Sequence, residues 1–148
     1  MGDVDAGALI VALQGFGHRA SEGARAAADV MALASEREIK RALRTYSHPR
    51  GTPTPSPPGS PPALVSGALR RSVKARRPRQ TGAARWEAHT APSIVYSRIH
   101  ELGGWTGRGH ASYLPPRPYV APSHIRLISS GRLEQLAHKA FAEKVGLG

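Results

Sequence analysis

The chain has 148 residues, which suits one domain with a modest core and is too short for two. It has no cysteine, which excludes disulfides and thiolate zinc sites, and no apolar run near the ~18 residues of a membrane-spanning helix. Apolar residues make up 40% and aromatics only 5%, which predicts a thin core that partner subunits complete; the formal net charge is +11.

In chain order, the stretch from Met1 to Gln14 is acidic ahead of its apolar run, unlike the basic start of a secretory leader. Residues 6–46 are rich in Ala, Leu, Glu, Arg and Lys and read as the N-terminal helix. Gly15 and Gly17 predict a break between Gln14 and His18, with Ser21-Glu22 restarting the helix. Lys40, Arg41 and Arg44 oppose the negative end of its dipole, and Pro49 stops it. Residues 49–62 hold seven of the thirteen prolines and read as an extended linker.

Residues 63–122 read as a small antiparallel sheet and a strap. Leu64, Ala68 and Leu69 share one face of a short helical turn, and 72–75 alternate as a strand. A turn at 78–82 leads to strands at 83–89 and 92–96, with Trp86 facing inward. Ser97 to Leu102 form a helical turn closed by Gly103-Gly104, W-T-G-R-G-H at 105–110 is a mobile loop, and 119–121 is an edge strand. The C-terminal helix, 123–146, is capped by Ser123, kinked at Gly131 and ended by Gly146. Ile125, Ile128, Leu133, Leu136, Ala140 and Phe141 face its core side. Residues 1–148 thus form a single α+β domain.

Candidate chemistry is sparse. The seven histidines never pair at i, i+4, and no H-E-x-x-H occurs, so no metal site is predicted. Gly-x-Ser-x-Gly is absent and no Walker lysine follows the glycine-rich loop, so neither catalytic residues nor a cofactor are expected. The basic charge is concentrated instead. Arg50, Arg70, Arg71, Lys74, Arg76, Arg77, Arg79 and Arg85 follow one another with no acidic residue between them, and match eight of the eleven net charges. On a strand, Arg70, Ser72, Lys74 and Arg76 share one face, Arg71, Val73 and Ala75 the other, and Arg77 and Arg79 continue into the turn. Such a stripe neutralises phosphates without reading bases. It equally suits an acidic neighbouring subunit or a solvated hairpin tip. No aromatic interleaves it, which argues against a single-strand platform.

The stretch from Tyr96 to Ser123 carries the most information. Y-S-R-I-H-E-L-G-G places Tyr96 and Ile99 ahead of Glu101, Gly103 and Gly104; L-P-P-R-P-Y-V-A-P-S follows, with Arg117, Pro118, Tyr119 and Pro122. Upstream, Ser66, Gly67, Leu69, Ser72 and Val73 form a small-Gly-x-Leu-x-x-Ser-aliphatic pattern. Over residues 63–145 these motifs resemble the neck or tail-completion (head–tail joining) proteins of long-tailed bacteriophages. Gly104 and Trp105 depart from that family's usual small or hydroxyl residue, and the 49–62 linker is unusually proline-rich.

The resemblance implies a virion protein assembled in the host cytoplasm. It implies a homo-oligomeric ring, hexameric by analogy with the tail, between the tail-tube or terminator protein and the head-side connector. Double-stranded DNA passes through the lumen and is held non-specifically, with no membrane or cofactor involved. The motif residues from Tyr96 to Pro122 then serve as structural or subunit-contact positions, and Glu101 as an ion-pair or backbone cap. A tail terminator, a head-closure protein and a basic nucleic-acid-binding accessory protein are the alternatives.

Overall fold

The computed structural model describes residues 6–51 and 56–147; the acidic start at Met1 to Asp5 and the middle of the proline-rich stretch lie outside the described residues. The spine is helix α1, Ala6–Ala42, 37 residues and therefore about 55 Å long. It runs unbroken through Gly15 and Gly17, where a break was expected. Each glycine costs ~1 kcal/mol relative to Ala, but extending a helix already nucleated on the packed turns is cheap. The helix stops at Ala42, short of the expected Tyr46, and a parallel bridge between Ser47 and Leu64 follows.

The rest of the chain packs along the C-terminal two thirds of this spine. Helix α2 (Ala68–Ser72) runs directly into strand β1 (Val73–Ala75). Strands β2 (Arg79–Gln80), β3 (Trp86–Glu87) and β4 (Thr90–Pro92) follow, then helix α3 (Ser97–Leu102) and strands β5 (Gly104–Thr106) and β6 (Ser112–Leu114). Among the described residues the strands pair antiparallel, in three two-stranded ribbons, β1–β4, β2–β3 and β5–β6, rather than one continuous sheet. The expected strand at 92–96 ends at Pro92. Of the expected loop at 105–110, Trp105 and Thr106 belong to β5, which pairs with β6, and 107–110 make the connecting turn; Trp105 meets Tyr113 edge to face at 5.4 Å.

The C-terminal segment is two helices, α4 (Ala121–Ser129) and α5 (Arg132–Val145), not one kinked helix. Gly131 separates them at φ 67, a left-handed conformation that breaks α-helical continuity outright. The pair runs antiparallel to α1: Arg126 of α4 reaches Glu38 at 3.2 Å, whereas Phe141 of α5 lies over Gly23. That contact leaves no room for a side chain, since a Cβ on Gly23 would sit 2.8 Å from the Phe141 ring. Small residues are buried on both helices, Ala28, Ala32 and Ser35 on α1 and Ala140 and Ala142 on α5. Ile125 and Ile128, expected inside, are exposed. The buried face of α4 is set by Ser123 and Leu127, four apart, and a 3.6-residue period carries positions 125 and 128 off that face. Gly146 ends α5 in the left-handed region, as expected.

The core is as thin as the composition predicts. Ile39 and Leu43 from the end of α1, Val73 from β1 and Tyr119 form its fully packed centre, with Leu69 and Val120 against it.

Candidate functional site

The signature residues meet where the strap of residues 115–120 crosses α3. The Arg117 backbone N–H donates to the His100 carbonyl at 2.7 Å, which lays the strap along the helix. The crossing requires Gly103. Its φ is 71, and a Cβ there would lie 2.8 Å from the Pro116 nitrogen. With that backbone in place, the Glu101 side chain turns under the strap. Glu101 Oε2 accepts from the amides of Tyr119 (2.8 Å) and Val120 (3.0 Å), and Oε1 accepts from Ala121 (2.9 Å). These amides open α4, so one carboxylate supplies the N-terminal cap and faces the positive end of the helix dipole.

Ser123, the cap expected from sequence, lies inside α4 and donates to the Tyr119 carbonyl at 2.6 Å. A cap supplied from a separate helix leaves no local trace; only the Glu-x-Gly pairing hinted at it. The expected edge strand at 119–121 is absent because these amides bond to Glu101 and not to a neighbouring strand.

Tyr119 descends from the strap into the core and is 0% exposed, and its hydroxyl donates to the Ser97 carbonyl at 3.3 Å. Burial, followed by the Glu101 charge, pushes its phenol well above the usual value, so it stays neutral. Arg117 is buried as well, while Pro118 and Pro122 are half-buried and Tyr96 is exposed, stacked edge to face on His100. Tyr119 is therefore packed wholly within the subunit, and Arg117 reaches the surface only through the open cavity it lines.

The basic segment differs from the expected stripe. Residues 68–72 are helical, so strand alternation covers only 73–75. Arg70 Nε donates to the Lys40 carbonyl at 3.2 Å, and Arg71 Nη1 to the Ser66 carbonyl at 2.9 Å. Both lock α2 to its surroundings, and neither joins a common face with Lys74 and Arg76. What fixes the switch from helix to strand is distant in sequence. Glu36 of α1 accepts the Ala75 amide at 2.6 Å and pairs with Lys40. Burial works to raise the Glu36 carboxyl, but the Lys40 bond and charge, the Ala75 amide and the Lys74 charge together hold it below its usual value.

The remaining cations, Lys74, Arg76, Arg77 and Arg79, are exposed along the β1–β2 arm. Arg76, Arg77 and Arg79 close no ion pair among the described residues, although Arg79 stands opposite Glu87 in the ribbon register. The arm is tied to α1 by Trp86, whose Nε1 donates to Ser21 Oγ at 3.1 Å, and by Thr90, whose hydroxyl donates to the Ala32 carbonyl at 2.8 Å.

A further feature was not anticipated. The two C-terminal helices cover α1 only from about Gly23 onward. Its first turns project beyond the fold with Leu9, Ile10, Val11, Leu13 and Phe16 each at least half exposed. In the sequence this run looks like ordinary core. Only the antiparallel pairing of α5, which ends about one turn past the contact of Phe141 with Gly23, leaves it bare.

Among the described residues no group of histidines and acids could hold a metal ion, and no helix is long and apolar enough to cross a membrane. Comparison with protein-family models, curated proteins and solved structures finds no match.

Proposed function

We propose that the chain is a structural subunit of a long-tailed phage neck, forming a ring that completes the tail and joins it to the head-side connector around the DNA channel. The observation that carries this reading is the projecting apolar end of α1. A helix that presents Leu9, Ile10, Val11, Leu13 and Phe16 to water is poorly accounted for in an isolated monomer and well accounted for by a neighbouring copy. The resemblance of the 96–122 motif supplies the kind of assembly, and the thin core agrees with contacts that complete it. The proposal assigns no catalysis. Glu101, the acid the motif brings forward, has both oxygens engaged by backbone amides. A tail terminator or head-closure layer would use the same surfaces; the co-purifying neighbours distinguish them.

Purified particles should contain the chain, and cryo-EM should show it as one closed ring at the neck. Leu13→Glu with Phe16→Glu should leave the monomer folded, because both side chains are already solvated, and abolish the ring. A chain present in infected-cell extract but never in purified particles refutes the assignment.

The basic arm is assigned to the lumen, where it holds DNA through non-specific phosphate contacts. Replacing Lys74, Arg76, Arg77 and Arg79 with Gln should leave the thermal midpoint almost unchanged, since exposed charges contribute little to stability. Heads and tails should still join, while DNA retention falls, with an effect that shrinks as salt rises. Abundant free tails beside DNA-filled heads in electron micrographs would instead assign the arm to an acidic protein partner.

A further inference from the structure

A cavity of about 290 Å³, open on one side, lies between the end of α1, the segment from Pro62 to Leu69 and the joint of α3 with the strap. Its walls are largely apolar: Leu43, Pro62, Leu64, Leu69, Tyr96 and Leu114. His48, Ser66 and Arg70 also reach the lining, and three further polar residues lie together in it: Arg117 is hydrogen-bonded to the Ser56 carbonyl and, through its backbone, to the His100 carbonyl. Ser56 and Arg117 are each only 5% exposed. Among the described residues, Ser56 Oγ and His100 Nδ1 are buried without a hydrogen-bond partner. The Arg117 guanidinium donates from Nε to the Ser56 carbonyl at 3.0 Å and closes no ion pair among the described residues. Among the described residues no Asp or Glu lines the cavity, and the adjacent carboxylate, Glu101, is occupied by the α4 amides.

A buried guanidinium without a counter-charge and two buried polar atoms without partners each carry a desolvation cost. Their convergence on one cavity has a common remedy, an anion. We propose that this cavity binds a carboxylate on an apolar stem, with the Arg117 guanidinium pairing the carboxylate, the Ser56 hydroxyl donating to it and the leucine-lined wall taking the hydrocarbon. The planar fork of Arg matches a carboxylate, and the apolar wall suits a hydrocarbon stem better than a phosphate dianion. Burial, followed by the Arg117 charge, lowers the His100 pKa, so the ring is neutral and Nδ1 adds one hydrogen bond without a second charge. Ser56 and His100 are not bonded to one another, so the pair is not a nucleophile and base. At about 30 Å³ per water the volume equals roughly ten waters, which suits a short-chain acid such as hexanoate.

The test is titration of the full-length chain with sodium hexanoate, followed by ¹H–¹⁵N NMR of the Arg117 Nε–H and the His100 ring. Both signals should move and saturate with a Kd on the order of 1 mM. 1-Hexanol, which has the same stem and no charge, should bind at least about tenfold more weakly. Ser56→Ala should fold normally, because the hydroxyl it removes has no partner, and weaken hexanoate severalfold. Arg117→Lys should abolish saturable binding; if that variant does not fold, the wild-type and Ser56→Ala titrations decide. Equal binding of hexanol and hexanoate, shifts confined to other residues, or no saturable shift overturns the proposal. A free acid and a carboxylate presented by another chain share this chemistry. Hexanoate that dissociates assembled protein on a sizing column marks the second source, and hexanoate that leaves assemblies intact marks the first.

Discussion

Replacing Glu101 with alanine is expected to destabilise the protein by about 2–4 kcal/mol and to lower its melting temperature by roughly 10 °C. The carboxylate accepts three backbone amides at 2.8–3.0 Å, and no other acceptor among the described residues bonds to them. Hydrogen bonds to a charged group contribute ~1.5–3 kcal/mol each, but the three are not lost alike. Ala121 is exposed, and water replaces the carboxylate there, whereas Tyr119 is buried and its amide stays without a partner. Loss of the favourable charge at the start of α4 adds ~0.3–1 kcal/mol. Glu101→Gln should lie between the two: one amide oxygen still accepts, but the amide NH₂ faces an N–H. Thermal and urea melts give the stability change, and hydrogen exchange localises it. In Glu101→Ala the Tyr119 and Val120 amides should exchange much faster, while those of α1 between Ala28 and Ile39 keep their order of protection. An unchanged melting temperature would mean that the strap is held without this carboxylate.

The legibility of Glu101 in the sequence shows what one dimension can and cannot carry. A lone acid just ahead of a double glycine, followed by a proline-stiffened aromatic strap, pointed to an ion pair or a backbone cap at a subunit contact. The structure gives the cap, inside the subunit: Gly103 is local to Glu101 and permits the crossing, but the amides that the carboxylate takes lie 18 to 20 residues further on. The long helix and the helix end at Gly146 were legible because propensity and caps are properties of neighbouring residues, although α1 stops at Ala42, short of the expected Tyr46. What failed was set by contacts between distant residues. Arg70 and Arg71 alternate plausibly as strand, yet a Lys40 carbonyl and the Glu36 carboxylate hold 68–72 helical and begin the strand only at Val73. Ile125 and Ile128 look like core until the break at Gly131 and the Ser123–Leu127 face fix the rotation of α4. Residues 49–62 read as a bridge between elements, but Gly59 donates to the Pro116 carbonyl, and Ser56 is buried beneath Arg117. The cavity lined by Ser56, His100 and Arg117 had no signal at all, because these three polar groups come from the linker, a helix and the strap.

Truncating Tyr119 should produce the other large loss. The ring is fully buried against Ile39, Leu43 and Val73, three of the few large side chains that this thin core possesses. Removing a buried aromatic costs ~3–5 kcal/mol through lost transfer energy and the cavity left behind. The surrounding elements have little freedom to close over it: α1 is pinned by α5, and the strap is fixed to α3 by Arg117 and Glu101. The loss should therefore fall near the upper end, a large share of the ~5–15 kcal/mol that holds a domain together. Tyr119→Phe separates ring from hydroxyl. It gives up only the 3.3 Å bond to the Ser97 carbonyl, and should cost about 0.5–1.5 kcal/mol while leaving the Glu101 cap intact. The backbone amide of Tyr119, not its side chain, binds Glu101, so losses from Tyr119→Phe and Glu101→Gln should nearly add in a double variant. Losses from Tyr119→Ala and Glu101→Ala should fall short of additive, because a strap released from the core no longer holds its amides over the carboxylate. Urea unfolding of the four single and two double variants measures this coupling. A Tyr119→Ala protein as stable as the wild type would place the ring outside the core and remove the joint between strap and spine.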